Sequence, residues 1–293
     1  MQESAALDDL LPAIAAAWPD LAGVPASVLA RGWDSLAVDL GGHTIVKLPR
    51  HAAARRRLEM EVQVLAVVRP AVAMRVPDMA LHRGPPLMTR HPKVPGEHLL
   101  AEHYSALPED RRDALASAMA RFYAQIHALP HDVMVAAGAG PVGAWLAPDA
   151  ILDAALPVLP ASLRDDARRI VAGWRDLPPD PHGTVWGLFD GHGWNMAFDH
   201  GSGRLEGLYD FGDSGFGPLH REFVYSNFID RDLTLRIGAC YGALTGRTID
   251  IARVDLLTGA LRLSELAGAA DDEEHRPLML AMVEAWAGPG RPA

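Results

Sequence analysis

The sequence predicts an α+β protein of two lobes, a small β-rich lobe followed by a larger helical one. Three observations carry this expectation. Residues 26–50, ASVLARGWDSLAVDLGGHTIVKLPR, are short β-rich runs broken by turn-forming glycines. Beyond residue 100, apolar residues recur at helical steps. Between the two, HPKVPGEHL (91–99) concentrates Pro and Gly where the charge balance changes. Residues 1–95 hold 11 Lys/Arg against 9 Asp/Glu, and residues 96–293 hold 16 against 28. The lobe boundary is therefore placed after residue 91, giving lobes 1–91 and 92–293.

Taken in order, LDDLLPAIAAAW (7–18) reads as a short helix that tolerates Pro12 near its start. The meander of 26–50 turns at Gly32-Trp33-Asp34-Ser35 and at Gly41-Gly42, and Pro49 stops its last strand. Leu58, Val62 and Leu65 give 51–68 a helical face that Arg69-Pro70 should end. Two short strands are expected around 73–82 and 86–91. In 108–129, Leu115, Met119, Phe122, Ile126 and Leu129 make the clearest amphipathic helix, opened by Pro108 and closed by Pro130. Helices are expected again at 149–156 and 161–175. Short strands interrupt at 196–198 and 205–211, and helices resume at 219–230, 232–243, 248–268 and 272–286.

Composition narrows the function. The 293 residues are 49% hydrophobic with a mean hydropathy of +0.04, enough for a substantial core. The first residues place Glu3, Asp8 and Asp9 where a secretory leader needs positive charge, so none is expected. No apolar run suits a bilayer span. A lone cysteine, Cys240, fits a reducing cytoplasm, which is the expected location. The acidic larger lobe disfavours nucleic acid, whose phosphates need cationic partners, and suits a cationic small substrate.

Two polar clusters carry the chemistry: LFDGHGWNMAFD (188–199) and YDFGDSG (209–215). Asp190 and Asn195 flank a glycine-flexible loop, and a hairpin turning at 200–203 should bring Asp210 back beside them. Asp210 and Asn195 offer the hard oxygen ligands that Mg²⁺ prefers. Asp190 is then free to take the proton of an acceptor hydroxyl. The D-x-x-x-x-N spacing and the later Asp-Phe-Gly are kinase signatures. Lys47, a charge inside an apolar strand, needs a partner, and Glu61 on the following helix can supply it while Lys47 holds phosphates. Ser35 and its turn should cover those phosphates. His192 with His182, Asp190 and Asp210 matches no metal-ligand spacing, and His127 reads as a satisfied core or loop-supporting residue.

These motifs, in this order, resemble the aminoglycoside phosphotransferase family, which has the protein-kinase-like fold. RGWDSLAVDLGGHTIVKLPR is similar to that family's phosphate-covering hairpin and lysine strand, RLEMEVQVL to its glutamate helix, and PLMTRHPKVPGEHL to its hinge. YAQIHALP, DGHGWN and YDFGDSGFG resemble the segments that follow, over residues 30–225 in all. The resemblance implies Asp190 as catalytic base and Asn195 and Asp210 as Mg²⁺ ligands. It implies Lys47, Glu61, Ser35, Met88 and His91 at the nucleotide, with Met88 packing on the base. Leu188-Phe189 stand where the family has His-Gly, so an imidazole supporting the loop is expected to be missing. Glu222 replaces a common aspartate, in a structural role.

The reaction expected is transfer of the γ-phosphate of ATP or GTP to a small-molecule hydroxyl by a monomer or weak dimer, with neither nucleic acid nor membrane as partner. An aminoglycoside is the leading acceptor, with Asp149, Asp153, Asp213, Glu222 and Asp230 as candidate contacts. A metabolic kinase for another small alcohol, and a catalytically impaired nucleotide binder, are the alternatives.

Overall fold

The computed structural model describes residues 2–31 and 34–287. Gly32 and Trp33 of the expected phosphate-covering turn, and the terminal 288–293, lie outside the described residues. The chain folds as two lobes, a β-sheet lobe and a helical one.

The first lobe opens with α1 (Gln2–Ala17) and a 3₁₀ turn at Pro19–Leu21. Strands β1 (Ala26–Arg31), β2 (Ser35–Leu40) and β3 (Thr44–Pro49) follow as an antiparallel meander. Helix α2 (Ala52–Ala71) crosses over to β4 (Ala80–His82) and β5 (Met88–Pro92), and the sheet order is β1-β2-β3-β5-β4. His51 caps α2 by accepting the Ala54 N–H on Nδ1 at 3.2 Å. The helix runs past Arg69-Pro70 instead of stopping there. Pro70 falls in the last turn, where its ring obstructs only one carbonyl at the helix end.

Strand parity divides the sheet's two faces. The register pairs Ala37 with Lys47, Lys47 with Thr89 and Ile45 with His91. Ser35, Lys47, Thr89 and His91 therefore share one face. The other face buries Val38, Leu40, Val46, Leu48 and Met88 against Ile14 of α1 and Leu21.

The second lobe begins with α3 (Ala101–Ser105), α4 (Glu109–His127) and α5 (His131–Ala136). Next come α6 (Pro148–Val158), a 3₁₀ turn at Ala161–Leu163 and α7 (Arg164–Arg175). Four short strands make two ribbons: β6 (Thr184–Gly187) pairs with β9 (Gly215–Pro218), and β7 (Met196–Asp199) with β8 (Arg204–Leu208). Helices α8 (Leu219–Glu222), α9 (Val224–Asn227), α10 (Arg231–Thr245), α11 (Ile251–Gly268) and α12 (Arg276–Ala287) complete the described chain. Met119, Phe122 and Tyr123 of α4 meet Leu188, Phe189, Phe211, Phe223 and Tyr241 in the central core. A second core joins α6, α7, α11 and α12 through Ile151, Ile170, Leu263 and Val283.

Backbone bonds stitch the connector after β5 to the second lobe, and one of them joins lobe to lobe. Glu97 and Phe198 exchange N–H···O bonds of 2.9 and 2.8 Å, Leu99 N–H donates to Gly193 O at 3.0 Å, and Leu208 N–H donates to Arg75 O at 3.0 Å. Gly96 makes this possible: its φ is +132°, and a Cβ there would lie 2.6 Å from the backbone of Ala197. The Pro-Gly-Glu of the sequence is thus a strand-like tether between lobes.

Two further expectations need correction, and one element was unforeseen. The strand expected over 205–211 ends at Leu208, because Asp210 leaves extended backbone for φ +64°. The helix expected over 219–230 is two four-residue helices. The β6–β9 ribbon is additional.

Candidate active site

The site forms where the first sheet's Lys47 face meets the β7–β8 ribbon. Lys47 Nζ donates to both Glu61 oxygens at 3.1 Å and to Asp210 Oδ1 at 2.9 Å. Glu61 is only 2% exposed and lies on the buried face of α2 with Leu58 and Leu65. Its Oε1 also accepts the Phe211 N–H at 3.0 Å, so α2 grips the loop that carries Asp210. Burial works against the Lys47 charge, yet Glu61 and Asp210 overcome it and hold the ammonium protonated above its ordinary range. Burial pushes the Glu61 carboxyl up, and Lys47 pulls it back. The Asp210 carboxyl is held down, chiefly by Lys47.

Asn195 and Asp210 are adjoined by the ribbon: Tyr209 N–H donates to Asn195 O at 3.0 Å. Asn195 Nδ2 donates to Asp190 Oδ2 at 2.7 Å and to its backbone oxygen at 2.9 Å. His192 Nε2 sits 3.2 Å from the other Asp190 oxygen. His192 Nδ1 accepts the Trp194 N–H at 3.2 Å, which leaves Nε2 as the atom carrying the proton toward Asp190. Burial opposes the His192 charge, but Asp190 raises its affinity for the proton overall. Asp190 is therefore held from both sides.

Phe189 (φ +51°) and Asp210 (φ +64°) are, among the described residues, the non-glycine residues with positive φ. Such strain costs roughly 1–3 kcal/mol each and persists only where the surroundings over-determine it. Here they do. Phe189 is fully buried, and its N–H donates to Glu222 Oε1 at 2.9 Å. Glu222 Oε2 lies 3.3 Å from His127 Nε2, whose Nδ1 meets the Tyr241 hydroxyl at 2.9 Å. The expectation that the loop lacks imidazole support is thus corrected. His127 supplies it from α4 through Glu222, although Leu188-Phe189 cannot.

Among the residues expected at the nucleotide, Lys47, Ser35 and His91 lie on the cleft-side face. His91 is buried, and this desolvation lowers its imidazole to about 4, so it is neutral at pH 7. Met88 is corrected: parity turns its side chain into the α1 core, away from Lys47. Thr89 takes that place on the cleft side, with a buried hydroxyl that has no partner.

Two groupings were not anticipated. Arg57 of α2 bridges Asp34, beside the turn expected to cover phosphates, and Asp213 in the loop after Asp210. The Asp213 side chain is 61% exposed, yet partial desolvation first and the Asp190 charge second push its carboxyl up to about 6. A carboxyl raised on folding favours the fold fully below its unfolded pKa of about 3.9, and the benefit is lost as pH rises through about 6. Because solvent screens much of this shift at an exposed carboxyl, Asp213→Asn is expected to flatten the decline of Tm between pH 4 and 6 only slightly. An unaltered Tm–pH profile in thermal melts would count against this electrostatic crowding.

The second grouping is a cavity of about 790 Å³ that opens beside Asp190. Leu99, Tyr225, Phe228, Ile229, Met279 and Trp286 line it, as does Trp194 of the loop. Asp149, Asp153, Asp213, Glu222 and Asp230, expected at the acceptor, are not in its wall; Glu102, Asp255 and Glu265 are. A sequence signal existed for two of these. Asp255, Thr258, Arg262 and Glu265 fall at i, i+3, i+7 and i+10, a polar stripe along a largely apolar α11.

A model of the phosphotransferase enzyme family matches residues 25–257. No curated protein sequence matches the chain. Among solved structures, the GDP complex of wild-type aminoglycoside 2'-phosphotransferase-IIIa superposes with a TM-score of 0.81 at 22% identity, covering 93% of this chain and 95% of that one. The GDP and kanamycin complex of APH(2")-IIia gives 0.77 at 20% identity, with coverages of 95% and 98%. The apoenzyme of a macrolide 2'-phosphotransferase from Brachybacterium faecium gives 0.68 at 17%, with coverages of 98% and 100%. Likeness at such identities speaks for the fold.

Proposed function

The chain belongs to the phosphotransferase enzyme family, and from that premise we propose that it transfers the γ-phosphoryl group of ATP or GTP to a hydroxyl seated against Asp190. The observation that carries this reading is the cross-lobe cluster of Lys47, Glu61 and Asp210 next to the Asp190–Asn195 pair. In this reading residues 1–91 carry the nucleotide, and residues 92–293 carry the catalytic loop and the acceptor.

Lys47 supplies the cation for the phosphate oxygens, with Glu61 setting its position. Ser35 and the backbone of its turn cover the phosphates, and His91 and the backbone of β5 face the base. Asn195 and Asp210 would hold Mg²⁺. The donor set fits: both ligands are oxygens, and the Asp210 side chain is 50% exposed. Among the described residues no group of three or more His, Cys, Asp or Glu could cage a metal. An ion held by two protein oxygens would keep waters and take substrate phosphates as further ligands. When bound, the ion neutralises charge on the transferring phosphoryl oxygens.

Asp190 orients the acceptor hydroxyl and takes its proton as the hydroxyl oxygen bonds to the γ-phosphorus. The bond from that phosphorus to the β,γ-bridging oxygen breaks, and the nucleoside diphosphate leaves with those electrons. Held by Asn195 and His192, Asp190 needs little reorganisation to act.

Two acceptor readings follow. An aminoglycoside is supported by the acidity of the larger lobe and by the structural likeness to enzymes named for aminoglycosides. A different alcohol is favoured by the cavity itself, whose wall is largely apolar. Incubation with Mg²⁺ and ATP or GTP against kanamycin-like, gentamicin-like and other alcohols, read by mass spectrometry, tests the proposal. Gain of a phosphate on one acceptor is expected. Nucleotide binding without any product would favour an impaired relative. No helix among the described residues is long and apolar enough to cross a membrane.

A further inference from the structure

The cavity beside Asp190 presents four carboxylates: Asp190 itself, Glu102, Asp255 and Glu265. A polycation needs such groups free. Two are not. Arg231 Nε donates to Asp255 Oδ2 at 2.9 Å, and Asn227 Nδ2 occupies Oδ1 at 3.1 Å. Arg262 Nη1 donates to Glu265 Oε2 at 2.9 Å, and its guanidinium lies 3.3 Å from the centroid of the Phe228 ring. Both arginines themselves line the cavity. At Asp255 both oxygens are committed, and at Asp255 and Glu265 alike an incoming ammonium would meet the like charge of a guanidinium.

The rest of the wall is apolar or aromatic. Met279, Met282 and Trp286 come from α12, and Phe228 and Ile229 follow α9. The Trp286 indole lies on Gly259 of α11, where an added Cβ would be 2.5 Å from the ring. Trp194 stands on the catalytic loop four residues after Asp190, and it is 53% exposed at the cavity. A large exposed indole beside a catalytic loop offers a face for an apolar body or a cation. Asn227 also lines the cavity, with Nδ2 committed to Asp255 and to Thr258 Oγ1 and with Oδ1 buried.

We propose that the acceptor is a bulky, mostly apolar alcohol bearing one amine, and that the arginine-paired carboxylates of the cavity exclude polycations. The cavity volume suits a drug-sized molecule of this kind. Glu102, for which no cationic partner is seen among the described residues, and the Trp194 face are the places for the one amine. The apolar wall takes the body. This inference rests on the phosphoryl-transfer reading above and concerns only what is transferred to.

The test uses the full chain with Mg²⁺ and ATP or GTP. Its probes are erythromycin and quinine, bulky monoamine alcohols, set against kanamycin, a small-bodied polycation. Phosphate gain on at least one monoamine alcohol is expected. Its kcat/KM should stand at least about 100-fold above that for kanamycin, within the range over which a binding pocket discriminates between substrates. Trp194→Ala is expected to raise KM for the accepted alcohol about 10-fold or more while kcat changes little, the pattern of weakened ground-state binding. Arg231→Gln, which loosens Asp255, is expected to raise kcat/KM for kanamycin. Equal or better turnover of kanamycin by the unaltered protein overturns the proposal. So does nucleotide binding with neither monoamine alcohol bound or phosphorylated. Failure to bind nucleotide at all overturns the phosphoryl-transfer reading instead, and this proposal with it.

Discussion

Replacing Asp190 with Asn lowers phosphoryl transfer by about 10²–10⁴-fold, the value of a positioned general base, while nucleotide affinity stays close to that of the unaltered protein. The separation of effects follows from the geometry. Asp190 bonds to Asn195 and His192 within its own loop. Lys47, by contrast, is held by Glu61 and Asp210. The asparagine keeps the side-chain volume, and the loop keeps its main anchor, because the Phe189 N–H still reaches Glu222. Nucleotide titration and single-turnover transfer, measured on the same preparation, separate binding from chemistry. Transfer within a few-fold of the unaltered rate would remove Asp190 from its assigned role.

Lys47→Met produces the largest combined loss. Removing the ammonium strands Glu61, which is buried to 2% exposure and keeps only the Phe211 N–H. Breaking a buried pair from one side typically costs about 3–5 kcal/mol, because a charge is left uncompensated. Transfer falls as well, since the phosphate-binding cation is gone. The two losses can be told apart with the double variant Lys47→Met/Glu61→Gln. Its neutral amide still offers an oxygen to Phe211 N–H, so it should recover most of the stability in a denaturant melt and none of the transfer. If the double variant were as unstable as the single one, the stranded-charge explanation would be wrong. Lys47→Arg is no rescue, because the planar guanidinium does not reproduce a compact ammonium between two carboxylates.

These losses centre on the part of the molecule that was most legible in the sequence. Lys47 stood out because a lone charge in an apolar strand needs a partner, and Glu61 stood at a buried helical position fourteen residues on. The glycines and polar residues of 188–215 marked the loop and the hairpin, and the Pro-Gly-Glu segment marked the tether between lobes. What escaped depended on pairings between distant segments. Which face Met88 occupies is set by one residue of register against β3 and β4, and a slip of one residue exchanges the faces. The β6–β9 ribbon contains Gly215-Phe216-Gly217-Pro218, which has little intrinsic strand preference, so only its partner makes it a strand. His127 was read as a core or loop-supporting residue, but its route to the loop through Glu222 was hidden because the two are far apart in the chain. The charge count of the larger lobe was read correctly, yet it did not describe the cavity. There Arg231 and Arg262 cancel Asp255 and Glu265 locally, and such cancellation is invisible to a sum over 198 residues of sequence.

The same contacts explain why a strained backbone is tolerated at Phe189 and Asp210. Each residue lies at a carboxylate to which the proposed mechanism gives a role, and each is fixed by a buried acid on a helix: Glu222 for the first loop and Glu61 for the second. The two acids have parallel tasks, holding the backbone N–H of Phe189, just before Asp190, and of Phe211, just after Asp210.

The most direct test of the account is ATP and GTP affinity measured by calorimetry, with Mg²⁺ and with a chelator, for the unaltered chain and for Asp210→Asn. Convergence of Asn195, Asp210 and Lys47 on one triphosphate predicts that Mg²⁺ tightens binding about 10-fold or more in the unaltered chain, and that Asp210→Asn loses that gain. Equal affinity with and without the ion, or a gain that survives the substitution, contradicts it.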